Sequence, residues 1–274
     1  MITCLEINTR ALGNALFEYA TLFGVGQKLG FDIKIPTGKN HTHEPTGQKI
    51  WQLKEIFDIN TPDITEEEIN NIQHTYVEKR KQFNPEIFEE VKDNTNLIGF
   101  FQHEDYFNFS SYKLKEQLKF KKYWSDQAVI KLLECNLHNR ELIAIHIRRG
   151  DYTKPHLQPF HPLLPLDYYS IALEYIVKQY NPNFRILIFT DDKEYAKSIC
   201  PKDFATVVDN SGEDGNIIDL CMMSMCNYHI IANSSFSWWG AWLANSKCVV
   251  YPHVWFGPGY GNYNIVSNEK WIKI

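Results

Sequence analysis

The second half of the chain alternates short apolar runs with longer amphipathic segments, and no other feature restricts the possible fold as strongly. Near-continuous apolar strands separated by helices are typical of a parallel sheet that is covered on both faces. The apolar runs predict strands at residues 142–147, 185–190, 205–208, 228–232 and 247–251. The segments between them predict helices at residues 166–180, 193–200, 216–226 and 236–244. We therefore expect a doubly wound α/β domain over residues 140–274.

The start of the chain shows a second strand–helix–strand pattern. Residues 2–7 predict a strand, a helix follows over residues 15–29 and ends at Gly30, and residues 31–35 predict the next strand. Two strands joined by a helix form a βαβ unit, which begins a parallel sheet. From there to residue 133 the sequence carries mainly helical signals, including an N-cap pattern in which Thr65 precedes three glutamates. We expect an α/β domain with a helical insertion over residues 1–139.

The overall charge is mildly acidic, with a formal net charge of −5 and a pI near 6.1. Nucleic-acid binding usually needs a basic surface, so we expect no nucleic-acid partner and expect local cations to hold any anionic ligand. No stretch of about 18 apolar residues occurs, and no secretory signal follows Met1. We expect a cytoplasmic protein without a transmembrane segment, at most peripheral at the inner membrane face. The six cysteines lack paired spacings, which predicts reduced core residues.

Residues 145–152 place two arginines, an aspartate and a glycine where a predicted strand ends. Ligands of open α/β sheets bind at this edge. The planar guanidinium groups of Arg148 and Arg149 match phosphate oxygens and remain charged, so the pair suits a diphosphate and a leaving group that gains negative charge. The alternative is a surface turn with two solvated arginines, in which Asp151 caps a helix.

Residues 233–240 form a second constellation, directly after the predicted strand at residues 228–232. Hydroxyls and backbone N–H groups converge there at a helix N-terminus, which is a ready anion site. The alternative is ordinary capping by Ser234 or Ser235, with the tryptophans that follow in the core.

Two shorter features complete the set of candidate sites. Gly13 and Asn14 open the first helix and could contact a phosphate or a sugar, although taken alone they are better explained by a helix cap. Asp191 and Asp192 end a predicted strand, where they could bind a metal, hold a sugar hydroxyl or cap the next helix. No third hard ligand is near them in sequence, so we expect no metal site.

Together these motifs resemble those of the α-1,2-fucosyltransferases of glycosyltransferase family 11, over nearly the whole chain. The strongest match is His-x-Arg-Arg-Gly-Asp-Tyr at residues 146–152, which that family shares in looser form with α-1,6- and protein O-fucosyltransferases. The others are residues 188–192, 232–240 and 12–20, in the family's order. The resemblance implies a GT-B fold, in which two Rossmann-like domains face each other across a cleft. It also implies metal-independent transfer of fucose from GDP-fucose with inversion, and no cofactor beyond that donor.

The resemblance also implies residue roles in donor binding. Arg148 would bind the β-phosphate, Arg149 would support the same loop, and His146 would lie against the guanine. Asp219 precedes Ser235 at the spacing at which related fucosyltransferases place a carboxylate on the guanine N1–H and amino group. Backbone amides that close over the phosphates would belong to Ser234, Ser235 and Phe236. The remaining donor-site residues would be Gly13, Asn14 and Asp191.

The N-terminal loop departs from the family pattern. The family usually has Gly-Gly before Leu-Gly-Asn and Gln after it, whereas here Arg10 and Ala11 precede and Ala15 follows. The departure affects a contact on the acceptor side or the fucose side. Aromatic residues that could offer apolar faces to an acceptor sugar, or belong to the core, are Trp51, Tyr76, Phe83, Phe100, Phe101 and Tyr106.

The reaction needs a group that accepts the proton of the acceptor hydroxyl, either directly or through water. Asp151, His156 and His161 are within reach of the loop, and we slightly prefer Asp151 to His161. The acceptor would be an oligosaccharide or a lipid-linked glycan, with O-2 of galactose as the reacting hydroxyl. The alternatives are a GT-B transferase of another linkage or another GDP-sugar, or a binding protein for nucleotide sugars or glycans that lacks turnover.

Overall fold

The computed structural model describes residues 1–37, 42–43, 48–49, 52–135, 140–201, 203–261 and 265–274. The chain forms two compact units. The first comprises Met1–Lys121 and Ile265–Ser267, and the second comprises Lys122–Asn264 and Asn268–Ile274. Each unit contains a parallel sheet and helices, as the sequence predicts.

The first unit has a four-stranded sheet. Its strands are β1 (Ile2–Thr3), β2 (Ile33–Lys34), β5 (His74–Val77) and β6 (Thr95–Ile98), and a separate antiparallel pair is formed by β3 (Thr42–His43) and β4 (Gln48–Lys49). The sheet is parallel, in the order β2-β1-β6-β5. Helix α1 (Leu12–Leu29) connects β1 to β2, which confirms the βαβ unit. The helix ends at Gly30, whose φ of 71° is a conformation that glycine adopts without strain.

The first strand is shorter than the sequence predicts. We expected a strand over residues 2–7, but only Ile2–Thr3 pairs in the sheet, and Ile7–Thr9 forms a 3₁₀ turn. The chain leaves the sheet because the side-chain oxygen of Asn96 accepts the N–H of Leu5 at 3.0 Å, in place of a strand partner. Cys4 and Ile7 are buried without belonging to a strand, so the apolar pattern of this segment is misleading.

The region predicted as mainly helical contains short helices but also β5 and β6. The helices are α2 (Leu53–Ile56), α3 (Glu66–Asn70), α4 (Ile87–Glu90) and α5 (Ser111–Gln117). The N-cap pattern at Thr65 is confirmed, since its side chain accepts the N–H of Glu68 and the Glu68 side chain accepts the N–H of Thr65. The two strands were not predicted, because each has four residues and includes polar side chains. Pairing with β1 and with each other stabilises them.

The second unit has a six-stranded sheet. Its strands are β7 (Glu141–Ile147), β8 (Phe184–Thr190), β9 (Ala205–Val207), β10 (Tyr228–Ile230), β11 (Cys248–Tyr251) and β12 (Ile272–Lys273). All neighbours are parallel, in the order β12-β11-β10-β7-β8-β9. The predicted strands are confirmed to within about two residues at each end. Only the short edge strand β12 was not predicted.

Helices cover both faces of this sheet. They are α6 (Lys122–Glu134), α7 (Leu166–Tyr180), α8 (Lys193–Ile199), α9 (Gly215–Ser224) and α10 (Ser235–Leu243). On one face, α7 and α8 pack against alternate residues of β7 and β8. On the other face, α9 packs against α6 and α10. Because α6 belongs to this unit, the unit begins at Lys122, whereas the sequence predicts a domain from residue 140. Within the described ranges, no helix combines the length and apolarity needed to span a bilayer.

The strand order creates a crevice beside β7. From β7 the chain continues to β8 and β9 on one side of the sheet, whereas β10, β11 and β12 lie on the other side. A crevice opens outside the carboxyl ends of the strands where such an order reverses, and ligands of open α/β sheets bind there. The segments that follow β7 and β10 therefore meet at this point.

Candidate functional site

Two arginines directly follow β7, and each is paired with an aspartate that follows β8. Nη1 of Arg148 lies 2.7 Å from a carboxylate oxygen of Asp191, and Nε of Arg149 lies 3.0 Å from one of Asp192. Asp191 also accepts the backbone N–H of Arg149 at 2.8 Å. The pairing is possible because β7 and β8 are adjacent and end in register. The alternative of two solvated arginines is therefore wrong.

The loop between these ion pairs is tightly constrained at Gly150 and Asp151. A Cβ on Gly150 would lie 2.4 Å from a carboxylate oxygen of Asp191, so a larger residue would displace that aspartate. Arg148, which is already paired with Asp191, also donates a hydrogen bond from Nη2 to the carboxylate of Asp151. Asp192 accepts the N–H of Tyr195 at 3.1 Å and so also caps α8. Within the described ranges, no three His, Cys, Asp or Glu side chains form a group that could hold a metal ion.

Tyr152 and Asn233 connect the loops that follow three adjacent strands. The hydroxyl of Tyr152 donates to the carbonyl of Asn233 at 3.3 Å. The amide of Asn233 donates in turn to the carbonyls of Pro162 and Trp255, at 3.0 and 3.2 Å. These contacts fasten together the carboxyl edges of β7, β10 and β11. Neither residue was singled out from the sequence, although both lie within the predicted motifs; their partners are too distant along the chain for a local pattern to reveal.

The N-terminus of α10 lies at the end of β10, as predicted. Ser234 is the N-cap, and its side chain makes no capping hydrogen bond. Ser235 and Phe236 open the helix and are partly buried, whereas Trp238 and Trp239 belong to the core. The N–H groups of a first helical turn, with the helix dipole, favour an anion at this position.

His146 lies near the end of β7, on the face covered by α9 and α10. Its ring is buried, 5.8 Å from the ring of Phe236. Burial, together with the nearby charge of Arg148, lowers the pKa of His146 to about 3, so the ring is neutral near pH 7. Nδ1 has no hydrogen-bond partner among the residues that the structure describes. A neutral, buried imidazole thus lies between the arginine loop and Phe236.

Asp219 lies on α9, with its carboxylate largely shielded from water. The side chain of Asn210 donates to this carboxylate at 2.6 Å. Burial raises the pKa of Asp219 to about 7, against the lowering effect of the Asn210 hydrogen bond. The segment is tightly packed, because a Cβ on Gly215 would lie 2.1 Å from the carbonyl oxygen of Asn210. Asp219 can therefore change charge near neutral pH.

The three candidate bases differ in their surroundings. Asp151 is paired with Arg148, and its side chain is 43% exposed. His156 is exposed. His161 is partly buried and lies against three aromatic rings. Of the three, Asp151 is paired directly with an arginine of the loop, while His161 contacts the loop through the ring of Tyr152.

The remaining candidates belong to the first unit. Gly13 is buried, and the side-chain oxygen of Asn14 accepts a hydrogen bond from Gln102 at 2.7 Å. Both residues lie in the first turn of α1. Within the second unit, the structure joins Arg148 and Arg149 to Asp151, Asp191 and Asp192, and places His146 beside Phe236. Asp219 contacts Asn210 and none of these residues. The donor contacts of all the candidates, Gly13 and Asn14 included, stay predictions.

Three of the six aromatic residues considered for an acceptor sugar are core residues, and Phe83 is partly buried. Tyr76, Phe101 and Tyr106 are buried, and Trp51 lies outside the described residues. The ring of Phe100 is partly exposed and carries the guanidinium of Arg10 at 4.8 Å. The arginine that replaces the family's glycine therefore occupies an aromatic surface of the first unit.

The fold and this site define a class of protein. Two α/β units with parallel sheets, and an arginine loop at a sheet edge suited to a diphosphate, are the features of a GT-B-type glycosyltransferase. The sequence profile of glycosyl transferase family 11 matches residues 3–255, and the chain belongs to that family.

Two curated proteins of Escherichia coli are similar in sequence. The O-antigen biosynthesis glycosyltransferase WbnK is 39% identical over 158 residues, which cover 55% of this chain and 49% of WbnK. The chain thus matches about half the length of that relative. An α-1,2-colitosyltransferase is 33% identical over 208 residues, which cover 71% of this chain and 67% of that protein.

Solved structures of fucosyltransferases share the fold. NodZ, an α-1,6-fucosyltransferase from Bradyrhizobium, has a TM-score of 0.55 in crystals soaked with GDP-fucose, at 15% identity, and the match covers 89% of this chain and 92% of NodZ. POFUT1 in complex with GDP-fucose has a TM-score of 0.56 at 11% identity, with 91% and 97% covered. These matches confirm the predicted GT-B fold class.

Proposed function

We propose that the protein transfers L-fucose from GDP-fucose to a hydroxyl of an acceptor glycan, with inversion, and that the linkage is α-1,2. The observation that carries the proposal is the arrangement of Arg148, which Asp191 and Asp151 hold at the end of β7. Family membership supports glycosyl transfer. Structures of NodZ and POFUT1 with GDP-fucose support the donor, and the name of the α-1,2-colitosyltransferase supports the linkage.

The donor would bind at the edge of the second sheet. Arg148 would contact the β-phosphate, and the backbone amides of Ser234, Ser235 and Phe236 would close over the diphosphate. Asp219, when ionised, would accept hydrogen bonds from the guanine N1–H and amino group. The ring of His146 would lie against the face of the guanine, because it is neutral and lies beside Phe236.

During transfer the acceptor oxygen attacks the anomeric carbon in line, and the bond from that carbon to the β-phosphate oxygen breaks. The electron pair of this bond stays on GDP, where Arg148 stabilises the added charge. The acceptor proton passes to the carboxylate of Asp151, which is the half-exposed base of the loop. Arg149 holds the loop through Asp192 and through its own backbone N–H to Asp191.

The acceptor would be an oligosaccharide or a lipid-linked glycan with an unsubstituted O-2 of galactose. The name of WbnK, which places that relative in O-antigen biosynthesis, supports this class. A lipid-linked acceptor would place the protein at the cytoplasmic face of the inner membrane.

The test is to incubate the protein with GDP-fucose and a panel of galactosides, to measure GDP release, and to determine the product linkage by NMR. We expect GDP release that depends on the acceptor, and fucose α-linked to O-2. Fucose attached at another hydroxyl would show that the linkage is not α-1,2. GDP release that is equal with and without acceptors would contradict transfer to a glycan. GDP-colitose serves as the parallel donor, since one relative is a colitosyltransferase; clearly faster transfer of colitose would replace fucose in the proposal.

A further inference from the structure

Arg148 contacts an aromatic stack as well as two carboxylates. Its Cζ lies over the ring of Tyr152, 5.0 Å from the centroid. The ring of Tyr152 stacks on the imidazole of His161, with centroids 4.8 Å apart and planes at 20°. Burial raises the pKa of Tyr152 to about 12, so the phenol is neutral. We refer to these three side chains as the Arg148–Tyr152–His161 stack.

The hydroxyl end of Tyr152 is fixed by its hydrogen bond to the carbonyl of Asn233. Asn233 cannot shift easily, because it is buried and its amide holds the carbonyls of Pro162 and Trp255. Pro162 follows His161 directly in the chain. Asn233 therefore fixes the ring of Tyr152 directly and the ring of His161 through Pro162.

His161 is supported by the loop that follows β11. Its ring lies 5.6 Å from the rings of both Phe256 and Tyr260. The N–H of Gly257 donates to the carbonyl of Phe160 at 2.9 Å, which joins the two segments. A Cβ on Gly257 would lie 2.4 Å from a neighbouring carbonyl oxygen, so the segments approach as closely as the backbone allows. The imidazole of His161 is thus packed between Tyr152 and the loop that follows β11.

A neutral ring can hold a guanidinium in a way that a carboxylate cannot. Asp151 and Asp191 occupy N–H donors of Arg148, and a phosphate must compete with them for the same groups. The face of Tyr152 attracts the cation and carries no negative charge that competes with a phosphate. Contact with the ring restricts the long side chain, which lowers the cost of ordering it on binding.

We propose that Tyr152 and His161 are positioning residues, which hold the guanidinium of Arg148 in the orientation that binds the β-phosphate. His161 acts through its ring and not as the base. The inference rests on the proposed role of Arg148 in donor binding, and it adds two residues through which that role is achieved.

The first experiment compares the binding of GDP and GMP by calorimetry, because GMP lacks the β-phosphate. Tyr152→Leu removes the ring, and we expect it to weaken GDP binding about tenfold while GMP binding changes less than about twofold. Tyr152→Phe keeps the ring and should lose less. The matched control is Tyr180→Leu, at the end of α7, whose ring packs on Tyr228 at the opposite edge of the sheet. An equal loss for both nucleotides, or no loss for either, would overturn the proposal.

The second experiment separates a ring contact from a proton transfer at His161. His161→Phe keeps an aromatic ring, whereas His161→Ala removes it. We expect the Phe variant to retain at least about half of kcat with an unchanged pH profile, and the Ala variant to lose about tenfold in kcat with KM little changed. If the Phe variant is folded and as inactive as the Ala variant, or loses one limb of the pH profile, His161 is the base and the proposal is wrong.

Different results would contradict the proposed role of Arg148 in donor binding and the proposed role of Tyr152 and His161 in positioning it. A wild-type protein that binds GDP no tighter than GMP contradicts the role of Arg148 itself. A wild-type protein that prefers GDP, with the same preference in Tyr152→Leu, contradicts only the positioning role. Circular dichroism and thermal unfolding of each variant show whether a loss reflects the stack or the fold. If Tyr152→Leu does not fold, His161→Ala, which removes the other ring of the stack, is compared with His161→Phe in the binding of GDP and GMP.

Discussion

Arg148 is the residue on which the proposed chemistry depends most directly. Its contact with the β-phosphate would strengthen as the leaving group gains charge, so its loss should appear mainly in turnover. Removal of one preorganised donor typically costs about 10²–10³ in kcat, or roughly 3–4 kcal/mol. We therefore expect Arg148→Ala to be folded and nearly inactive. Arg148→Lys should recover little, because an ammonium lacks the two-pronged geometry.

Steady-state kinetics with circular dichroism tests this expectation. Arg149→Lys is the matched control and should lose less, since Arg149 mainly holds the loop through Asp192. A folded Arg148→Ala that keeps more than about a tenth of wild-type turnover would show that this residue does not stabilise the leaving group.

Asp151 should affect binding and turnover in opposite directions. Its carboxylate pairs with Arg148 and so competes with the diphosphate. Asp151→Asn removes that charge, so we expect GDP to bind a few-fold tighter, while kcat falls by about 10²–10⁴ because the base is lost. Calorimetry and steady-state kinetics measure the two effects. Asp151→Asn with unchanged GDP affinity and near-normal kcat would contradict both roles.

The pH dependence of GDP binding tests the guanine contact of Asp219. Burial raises the pKa of this carboxyl to about 7 in the free protein, and guanine requires the ionised form. The affinity for GDP should therefore be highest above about pH 7 and fall by about tenfold per pH unit below it, until the pH reaches the lower pKa that Asp219 has in the complex. Asp219→Asn lacks this titration, so calorimetry on the variant reports the ionisation of the phosphates alone. Identical pH dependence of the two proteins would place the guanine elsewhere.

At the scale of residues, the sequence locates the site better than it explains the contacts. Arg148 and Ser234 were predicted at strand ends because buried apolar strands mark those ends. The pairing of Arg148 with Asp191 depends on β7 and β8 being neighbours in register, which no local pattern specifies. The hydrogen bond from Tyr152 to Asn233 joins residues 81 positions apart and was not foreseen for the same reason.

At the scale of elements, strands that bury their side chains are easier to predict from sequence than strands that are held mainly by backbone pairing. Strands β7, β8 and β10 are buried on both faces, so each appears as a continuous apolar run with a clear start and end. Strand β5 exposes three of its four residues and is held by backbone pairing with β6, so its side chains carry little signal. Helix α1 was predicted from residue 15 but begins at Leu12, because helical pattern does not define the first turn.

Packing of α1 gives a test of the first unit. A Cβ on Gly24 would lie 2.2 Å from the backbone oxygen of Tyr106 and 2.9 Å from the Cα of Phe107, neither of which can move cheaply. In an isolated helix Gly→Ala stabilises by about 1 kcal/mol, but overpacking costs about 1–3 kcal/mol. Because the contact is so short, we expect Gly24→Ala to lower the free energy of unfolding by about 2 kcal/mol.

Urea unfolding compares this variant with Gly26→Ala in the same helix. The nearest atom to a Cβ at Gly26 is a methyl carbon of Ile33, at 2.4 Å, and the nearest backbone atom, the carbonyl oxygen of Phe31, is farther away, at 3.1 Å. The loss at Gly26 should therefore be smaller. Equal stability of Gly24→Ala and the wild type would show that α1 is not held against the segment at Tyr106 as described.

For the whole molecule, charge limits how a diphosphate can be bound. The chain has 33 acidic and 28 basic residues, so its net field does not attract an anion. Even at the arginine loop, Arg148 and Arg149 are accompanied by Asp151, Asp191 and Asp192. The proposed binding of a diphosphate would therefore depend on donors at fixed positions, the guanidinium groups and the first amides of α10, and not on long-range attraction.

This distribution of charge predicts that transfer does not need a divalent ion. The aspartates that could have held one are engaged with arginines, and in the proposed mechanism the guanidinium of Arg148 takes the charge that the leaving group gains. We expect the protein to retain at least about half of its turnover in excess EDTA. The assay compares EDTA-treated protein with and without added magnesium or manganese, and a metal-dependent glycosyltransferase run in parallel verifies that chelation is complete. Loss of turnover in EDTA with full recovery on adding either metal would mean that a cation, and not Arg148, carries the charge of the departing diphosphate.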